Sequence, residues 1–304
     1  MRYMVLAIDY DGSIAMDGRV DEAALSAIER LRISGRRAIL VTGRRVDDLL
    51  AACPRLRVFD YIVAENGAVL YEPRTREQTL LAKPPPVKFV QRLKELAVTP
   101  VDVGNVIVST WLPHHVAVLQ AIQEMGLELQ VIFNRQAVIV LPPGVNKASG
   151  MAYALRKLGF SSHEAVGLGN AENDHSFLER CECAVAVANA IPSIRKLAAF
   201  TTKGAAGRGV VELIDELIAN DLSRMAGKLR QNLVVIGSHE DGTPVTVPPY
   251  GLNILIAGPS ASGKSTLAVG IIERLIKGAY QVCIVDPEGD YGMLRGLVTL
   301  GSQE

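Results

Sequence analysis

Short, nearly continuous apolar runs alternate along the chain with longer segments in which apolar residues recur at helical spacing. The apolar runs occupy residues 4–8, 38–41, 61–64, 165–168 and 184–187. Such runs are typical of parallel strands whose two faces are both covered by helices. Helical spacing is found at residues 21–34, 151–158 and 193–199. The alternation predicts an α/β fold built on a Rossmann-like, doubly wound parallel sheet.

A different pattern interrupts this alternation between residues 82 and 143. Prolines at 84–86 lie near its start, and Pro142 and Pro143 close it. Between them a helix, a strand, a second helix and a hairpin are predicted at residues 87–96, 106–110, 115–125 and 129–141. We therefore predict a small α+β insertion over residues 82–143, here called the cap, which has a size that suits a lid. It divides the sheet domain, here called the core, into residues 1–81 and 144–220.

Two carboxylates, Asp9 and Asp11, follow the first predicted strand. In open α/β sheets this edge is where ligands bind. Two acids so close together are a candidate pair of nucleophile and general acid or base. Taken alone, the same residues also fit a solvated turn, so the pattern needs support from elsewhere in the chain.

Three further polar segments supply that support. Thr42 and Gly43 follow the second strand, where a hydroxyl and a backbone N–H suit phosphate oxygens, although they also fit a turn that ends the strand. Lys147 follows the cap, and the alternative interpretation of this residue is an ordinary surface lysine. Asn170 and Asp174 follow another strand. Their oxygens suit Mg²⁺, or an Asx-rich loop that caps the next helix.

In this order and spacing, the four segments resemble the haloacid dehalogenase superfamily over residues 1 to about 220. The position of the cap is similar to that of the Cof-type branch. This branch includes phosphoglycolate, sucrose-phosphate and mannosyl-phosphoglycerate phosphatases. Residues 64–68 and 187–192 are similar to secondary signatures of the same branch.

The resemblance implies a magnesium-dependent phosphatase. Asp9 would attack phosphorus to form an aspartyl-phosphate, and Asp11 would protonate the leaving alcohol and then activate water. Thr42, Gly43 and Lys147 would bind the phosphoryl oxygens. These roles agree with the demands of phosphoryl transfer, which depends mainly on positioning and on neutralising charge.

The resemblance also implies a metal site made by Asp9, the backbone carbonyl of Asp11, Asn170 and Asp174. The family usually has aspartate in place of Asn170. An amide oxygen still binds a metal but adds no charge, so we expect lower Mg²⁺ affinity unless Asp174 and Glu172 compensate. Three neighbouring side chains are assigned to substrate contact or to the support of these groups: Arg44, Asn66 and Asn173.

A second motif lies at residues 258–265, which match the complete P-loop pattern. A strand is predicted before it at 253–256, a helix after it at 266–276, and a further strand at 282–285. Together these resemble FtsK- and HerA-type motor ATPases, and a glycine-rich turn is the alternative. Nucleotide contacts, with ATP as a candidate ligand, are assigned to Gly258, Ser262, Gly263, Lys264, Ser265 and Thr266.

Residues 221–304 are therefore predicted to be a polar linker, a strand at 233–236 and an incomplete P-loop segment, because the sequence ends before the other residues that such an ATPase needs. We expect the chain to be a fragment of a longer protein. The leading hypothesis is a phosphomonoesterase fused to the start of a nucleotide-binding module. Two alternatives stay open: a P-loop protein in which the phosphatase domain is regulatory, and a sensor of phosphorylated ligands.

Composition narrows the range of partners. The 32 basic and 32 acidic residues give a formal net charge of zero, which argues against recruitment by nucleic acid or acidic membranes. No apolar run approaches the roughly 20 residues of a membrane helix. The four cysteines show no disulfide or zinc spacing. We predict a cytoplasmic enzyme that acts on a small phosphorylated metabolite, with the exact substrate and the oligomeric state left open.

Overall fold

The computed structural model describes residues 1–134, 136–228, 233–249, 253–287, 289–292, 294 and 297–298. Contacts divide the chain into two compact units, Met1–Leu229 and Arg230–Glu304. The first unit contains both the predicted core and the predicted cap. Because the two stay in one unit, the boundary between core and cap remains a prediction from the sequence.

The first unit contains strands β1 to β14 and helices α1 to α8. In chain order the strands are β1 Val5–Asp9, β2 Ala15–Met16, β3 Arg19–Val20, β4 Arg37–Val41, β5 Tyr61–Ala64, β6 Val69–Glu72, β7 Glu77–Leu80, β8 Asp102–Val103, β9 Val108–Trp111, β10 Gln130–Asn134, β11 Ala137–Leu141, β12 Ala165–Gly169, β13 Cys183–Ala186 and β14 Phe200–Thr201. The helices are α1 Glu22–Ile33, α2 Val46–Ala52, α3 Val87–Glu95, α4 His115–Glu124, α5 Lys147–Leu158, α6 His175–Arg180, α7 Pro192–Leu197 and α8 Ala206–Asn220.

An eight-stranded sheet lies at the centre of this unit, in the order β14-β13-β12-β1-β4-β5-β6-β7. The six strands from β14 to β5 run parallel, and β6 and β7 add an antiparallel edge. Helix α1 packs against α8, and α5 packs against α6. The predicted α/β fold with a mostly parallel sheet is confirmed, and β1, which is entirely buried, lies in its interior.

Local signals explain where the helices begin. Helix α1 starts after Asp21, whose side chain accepts a hydrogen bond from the backbone N–H of Ala24. Helix α5 starts four residues earlier than the apolar pattern at 151–158 indicates, because Asn146 and Ser149 form a capping box. This early start places Lys147 in the first turn of α5. None of the described helices is long and apolar enough to cross a membrane.

The cap elements form a second, smaller sheet with the strand order β10-β11-β9-β8. Helices α3 and α4 pack against each other, and an apolar cluster of their own includes Phe89, Leu93, Val118 and Val138. The predicted order of helix, strand, helix and hairpin is confirmed. The two-residue strand β8 was missed because so short a segment carries no periodicity.

In the second unit, β15 (Val234–Ser238) pairs antiparallel with β16 (Pro244–Val247), and α9 spans Lys264–Lys277. Strand β15 and helix α9 confirm the predictions at 233–236 and 266–276. The strands predicted at 253–256 and 282–285 were wrong, because the described residues 253–287 contain one helix and no strand. Leu255 and Val285 are largely exposed. A parallel strand needs neighbours and helices over both faces, which this short segment does not supply.

Candidate active site

The candidate site lies where three adjacent strands, β12, β1 and β4, reach their carboxyl ends. The register pairs Ile8 with Leu168 and Asp9 with Val41. The segments that follow these strands therefore meet at one edge of the sheet. The four predicted motifs are brought to this edge, three by the strands and the fourth by the first turn of α5.

Lys147 joins two of the motifs. Its ammonium donates to Oδ1 of Asp9 and to Oδ1 of Asp174, each at 2.6 Å. All three side chains are buried. The second oxygen of Asp174 accepts from the backbone N–H groups of Asn170 and Ala171 at 2.8 and 2.9 Å. Asp174 is thus fixed by its own loop and presents its other oxygen to the lysine.

This cluster carries an excess of negative charge. Burial and the nearby Asp174 raise the pKa of Asp9 from 3.8 to about 7, although Lys147 opposes the shift. Burial lowers the pKa of Lys147, but the carboxylates of Asp174 and Asp9 outweigh it and hold the pKa above its ordinary value. One ammonium therefore faces two carboxylates, and its single charge does not balance both.

These residues fit a hard divalent cation. Asp9 and Asp174 supply oxygen donors, and their uncompensated charge is what a cation would neutralise. Oδ1 of Asn170 accepts from the Ser13 hydroxyl at 3.1 Å, and its Nδ2 lies 2.4 Å from where a Cβ on Gly12 would be. Among the described residues, no group of three or more His, Cys, Asp and Glu could hold a metal. An amide and a backbone carbonyl would therefore have to complete the predicted set.

The Asp11 carboxylate pairs with Arg44. The guanidinium donates through Nε and Nη2 to the two carboxylate oxygens at 2.8 and 2.6 Å. Arg44 also lies over the Tyr10 ring, 4.9 Å from its centroid. Both residues were predicted to belong to the site, but their pairing was not. Nothing in the spacing of residues 11 and 44 indicates which partner an exposed carboxylate takes.

Two polar side chains with little freedom lie at or beside the predicted phosphate-binding segment, Thr42 within it and Asn66 against it. Thr42 is buried, and its Oγ1 accepts from the backbone N–H of Arg44 at 3.1 Å. Asn66 is also buried and lies against Gly43, where a Cβ would be 3.1 Å from its Nδ2. Its Oδ1 accepts from Asn173 Nδ2 at 3.3 Å, whereas its Nδ2 has no hydrogen-bond partner among the described residues. This amide is a candidate donor to a substrate oxygen.

Two residues that support the site were not singled out from the sequence. Asn189 Nδ2 donates to the carbonyl of Gly12 at 2.8 Å, and its Oδ1 accepts from the N–H of Ala206 at 2.9 Å. Glu65 is buried in the core and accepts from the N–H groups of cap residues 105–107 at 2.8–3.1 Å. Both lie in the two secondary signature segments, which were the available signal.

The P-loop pattern forms a glycine turn followed by α9. Gly263 has a positive φ of 86°, and Lys264 donates to the carbonyl of Pro259 at 2.8 Å. A cavity of about 410 Å³ next to this turn is lined in part by Lys264, Ser265 and Asp286. Of the six residues assigned to a nucleotide, Lys264, Ser265 and Thr266 lie in the first turn of α9, and Gly258, Ser262 and Gly263 precede that helix.

Known proteins resemble the first unit. A family model described as haloacid dehalogenase-like hydrolase matches residues 6–110 and 114–214. Phosphoglycolate phosphatase from Methanothermobacter thermautotrophicus is 28% identical over 215 residues, covering 69% of this chain and 96% of that protein. Phosphoglycolate phosphatase 2 from Saccharolobus solfataricus is 25% identical over 229 residues, covering 73% and 95%. The family match ends at residue 214, before the P-loop pattern.

Solved structures share the fold. A haloacid dehalogenase-like hydrolase from Bacteroides thetaiotaomicron aligns with a TM-score of 0.60 at 16% identity, covering 71% of this chain and 99% of that chain. Thermoplasma acidophilum 0175 aligns with a TM-score of 0.61 at 14% identity, covering 71% and 98%. The likeness spans nearly the whole of each of those chains.

Proposed function

Because this chain belongs to the haloacid dehalogenase-like hydrolases and is a phosphatase of that family, we propose that it hydrolyses small organic phosphate monoesters. Phosphoglycolate is the leading candidate substrate, since the relatives quoted above carry that name, and sugar phosphates are the alternative. The observation that carries the proposal is the buried Asp9 at the end of β1, held 2.6 Å from Lys147.

In the first step, an oxygen of Asp9 attacks phosphorus in line with the ester oxygen. The bond from phosphorus to that oxygen breaks, and an aspartyl-phosphate forms. Asp11 gives its proton to the leaving oxygen, so the product leaves as a neutral alcohol. Lys147, the Thr42 hydroxyl and the Gly43 N–H hold the phosphoryl oxygens during the transfer.

In the second step, water attacks the phosphorus of the aspartyl-phosphate. Asp11, now ionised, takes a proton from that water, and the bond between phosphorus and Asp9 breaks. Phosphate leaves, and both aspartates return to their starting states. One acid thus serves in both directions, as general acid and then as general base.

Asp9, Asp174, Asn170 and the backbone carbonyl of Asp11 would hold Mg²⁺. The ion would neutralise charge on the phosphoryl group and reduce its repulsion from Asp9. With Asn170, this set of ligands carries less negative charge than it would with a third carboxylate at position 170. We therefore expect activity that depends on added Mg²⁺ at concentrations above those that a fully anionic site would need.

The test is phosphate release from 2-phosphoglycolate in Mg²⁺ by the parent protein and by Asp9→Asn. We expect a loss of about 10³-fold or more in the variant, because the substitution keeps the shape and removes the nucleophile. Asp47→Asn, an exposed residue in the first turn of α2, is the matched control and should retain activity. Comparable rates in Asp9→Asn and the parent would reject the proposal.

Nucleotide binding at residues 258–265 stays a prediction separate from this activity. The helix that the motif requires is α9, whereas the strands predicted around it are absent from the described residues 253–287. Binding of ATP to Asp9→Asn, compared with Asp9→Asn combined with Lys264→Ala, tests it without interference from the phosphatase. Equal binding by the two proteins would reject the prediction.

A further inference from the structure

The pair formed by Arg44 and Asp11 has the geometry with which arginine recognises any carboxylate. Two parallel N–H groups reach the two oxygens at 2.8 and 2.6 Å. The pair lies at the surface of the site, since the side chains of Arg44 and Asp11 are 30% and 50% exposed. A second carboxylate arriving from solvent would therefore find this guanidinium accessible.

Arg44 is held by contacts that do not involve Asp11. Its guanidinium lies 4.9 Å from the centroid of the Tyr10 ring. Its backbone N–H donates to Thr42 Oγ1 at 3.1 Å, and its carbonyl accepts from the N–H of Glu65 at 3.0 Å. Gly18 leaves room for Nη2, which would lie only 3.2 Å from a Cβ at that position. The guanidinium can therefore change partners while the backbone of Arg44 stays fixed.

Catalysis should loosen the pair. Both oxygens of Asp11 accept from Arg44, and these two bonds fix the plane of the carboxylate, so we expect at least one of them to be given up when Asp11 turns to a leaving group. Two other cations near the site have partners of their own: Lys147 pairs with Asp9 and Asp174, and Arg45 pairs with Asp48 and Asp102. Arg44 is the cation that loses its partner when Asp11 acts.

We propose that Arg44 selects substrates that carry a carboxylate beside the scissile ester, and that it exchanges Asp11 for this carboxylate on binding. This inference rests on the proposed phosphatase function. In 2-phosphoglycolate a single carbon separates the leaving oxygen from the carboxylate. The group that protonates the one and the cation that binds the other must therefore be neighbours, as Asp11 and Arg44 are.

The exchange couples recognition to chemistry. A carboxylated ester takes Arg44 and releases Asp11, which takes up a proton from solvent and gives it to the leaving oxygen as the bond to phosphorus breaks. An ester without a carboxylate offers Arg44 no replacement for Asp11. The pair of Arg44 and Asp11 then persists, and Asp11 is less often free to transfer a proton. Preference for the carboxylated ester should thus appear in kcat as well as in KM.

The first test compares kcat/KM for 2-phosphoglycolate and 2-hydroxyethyl phosphate, two esters of similar size. The parent should prefer the carboxylated ester by about 10- to 100-fold. In Arg44→Met this ratio should fall close to one, with the larger loss on 2-phosphoglycolate. Arg45→Met, the same substitution at the adjacent residue, should keep the ratio of the parent.

The outcomes distinguish failure of the proposed function from failure of the role of Arg44. If the parent hydrolyses neither ester in Mg²⁺ and no sugar phosphate either, the proposed function fails. If it hydrolyses both esters without preference, or if Arg44→Met keeps the preference of the parent, the function stands and the role of Arg44 is rejected.

Equilibrium binding gives a second measurement that does not depend on turnover. In the Asp9→Asn protein, adding Asp11→Asn frees Arg44 from its ion pair. Calorimetry should then show a greater gain in affinity for 2-phosphoglycolate than for 2-hydroxyethyl phosphate. Equal gains for the two ligands would reflect only the removal of a negative charge and would overturn the exchange, whatever the result with Arg44→Met.

Discussion

The Lys147 ammonium donates to the Asp9 carboxylate at 2.6 Å, so the candidate nucleophile and the cation beside it are in contact before any substrate arrives. The same ammonium bridges to Asp174. Lys147 therefore holds the two acids together, and in the proposed reaction it would also bind phosphoryl oxygens.

Replacing Lys147 by Met should affect both roles. Two buried carboxylates would lose their counter-charge, and we expect the free energy of unfolding to fall by about 3 kcal/mol at pH 8 without metal. Phosphatase activity should fall by about 100-fold or more. Denaturant unfolding and phosphate release measure the two effects, with Lys157→Met on the exposed side of α5 as control. A stable variant with normal activity would contradict both roles.

Removing the charge of Asp9 should stabilise the protein when no metal is present. The pKa of Asp9 is raised from 3.8 to about 7, first by burial and then by Asp174. A carboxyl with a raised folded pKa favours the fold while protonated, and this advantage is lost as the pH rises through about 7. In EDTA at pH 8, Asp9→Asn should therefore melt about 2–8 °C above the parent.

The pH dependence checks the sign of this prediction. The difference in melting temperature between Asp9→Asn and the parent should be nearly constant above about pH 7, shrink as the pH falls below 7, and disappear below about pH 4, where the parent carboxyl is protonated in both states. A difference that is independent of pH, or a variant that is less stable at pH 8, would contradict the assigned cause.

Restoring a carboxylate at position 170 should tighten the metal site. In Asn170→Asp, an anionic oxygen replaces the amide oxygen that accepts from Ser13, and hard cations favour charged oxygen ligands. The Mg²⁺ concentration at half-maximal activity should fall several-fold. Asn173→Asp adds the same charge in the same loop without a predicted ligand role, so an equal effect in both variants would show that Asn170 is not a ligand.

The buried Glu65 should fix the cap to the core. Its carboxylate accepts three backbone N–H groups from residues 105–107, and Glu65→Gln turns one acceptor into a donor that faces them. We expect a loss of about 2 kcal/mol in the free energy of unfolding. Gly104→Ala should act in the same direction, because its Cβ would lie 2.6 Å from Glu65 Oε2. Urea titrations, with the half-buried Glu72→Gln as control, test this, and unchanged stability in both variants would exclude the role.

The sequence predicted those parts of the fold that local pattern determines. The buried strand β1 and helix α1 follow directly from apolar spacing, and the edge at which Asp9, Thr42 and Asn170 meet follows from parallel topology. The strands predicted at 253–256 and 282–285 were wrong for the converse reason. Their apolar character is real, but strand formation depends on partners that the described part of the second unit does not provide.

Side-chain partners in the site were harder to predict. That Lys147 bridges Asp9 and Asp174 depends on the capping box that starts α5 at residue 147, whereas apolar spacing alone begins that helix at 151. The contact between Glu65 and residues 105–107 joins segments about 40 positions apart. Neither segment shows in its own sequence that a buried carboxylate will meet three backbone donors there.

The central claim is that Asp9 carries the phosphoryl group during turnover. The most direct measurement is an acid quench of the protein during hydrolysis of ³²P-labelled 2-phosphoglycolate in Mg²⁺, followed by peptide mapping. We expect label that hydroxylamine releases, bound to the peptide that contains Asp9 and absent in Asp9→Asn. Phosphate release without protein-bound label at any quench time, or label on another residue, would contradict the account.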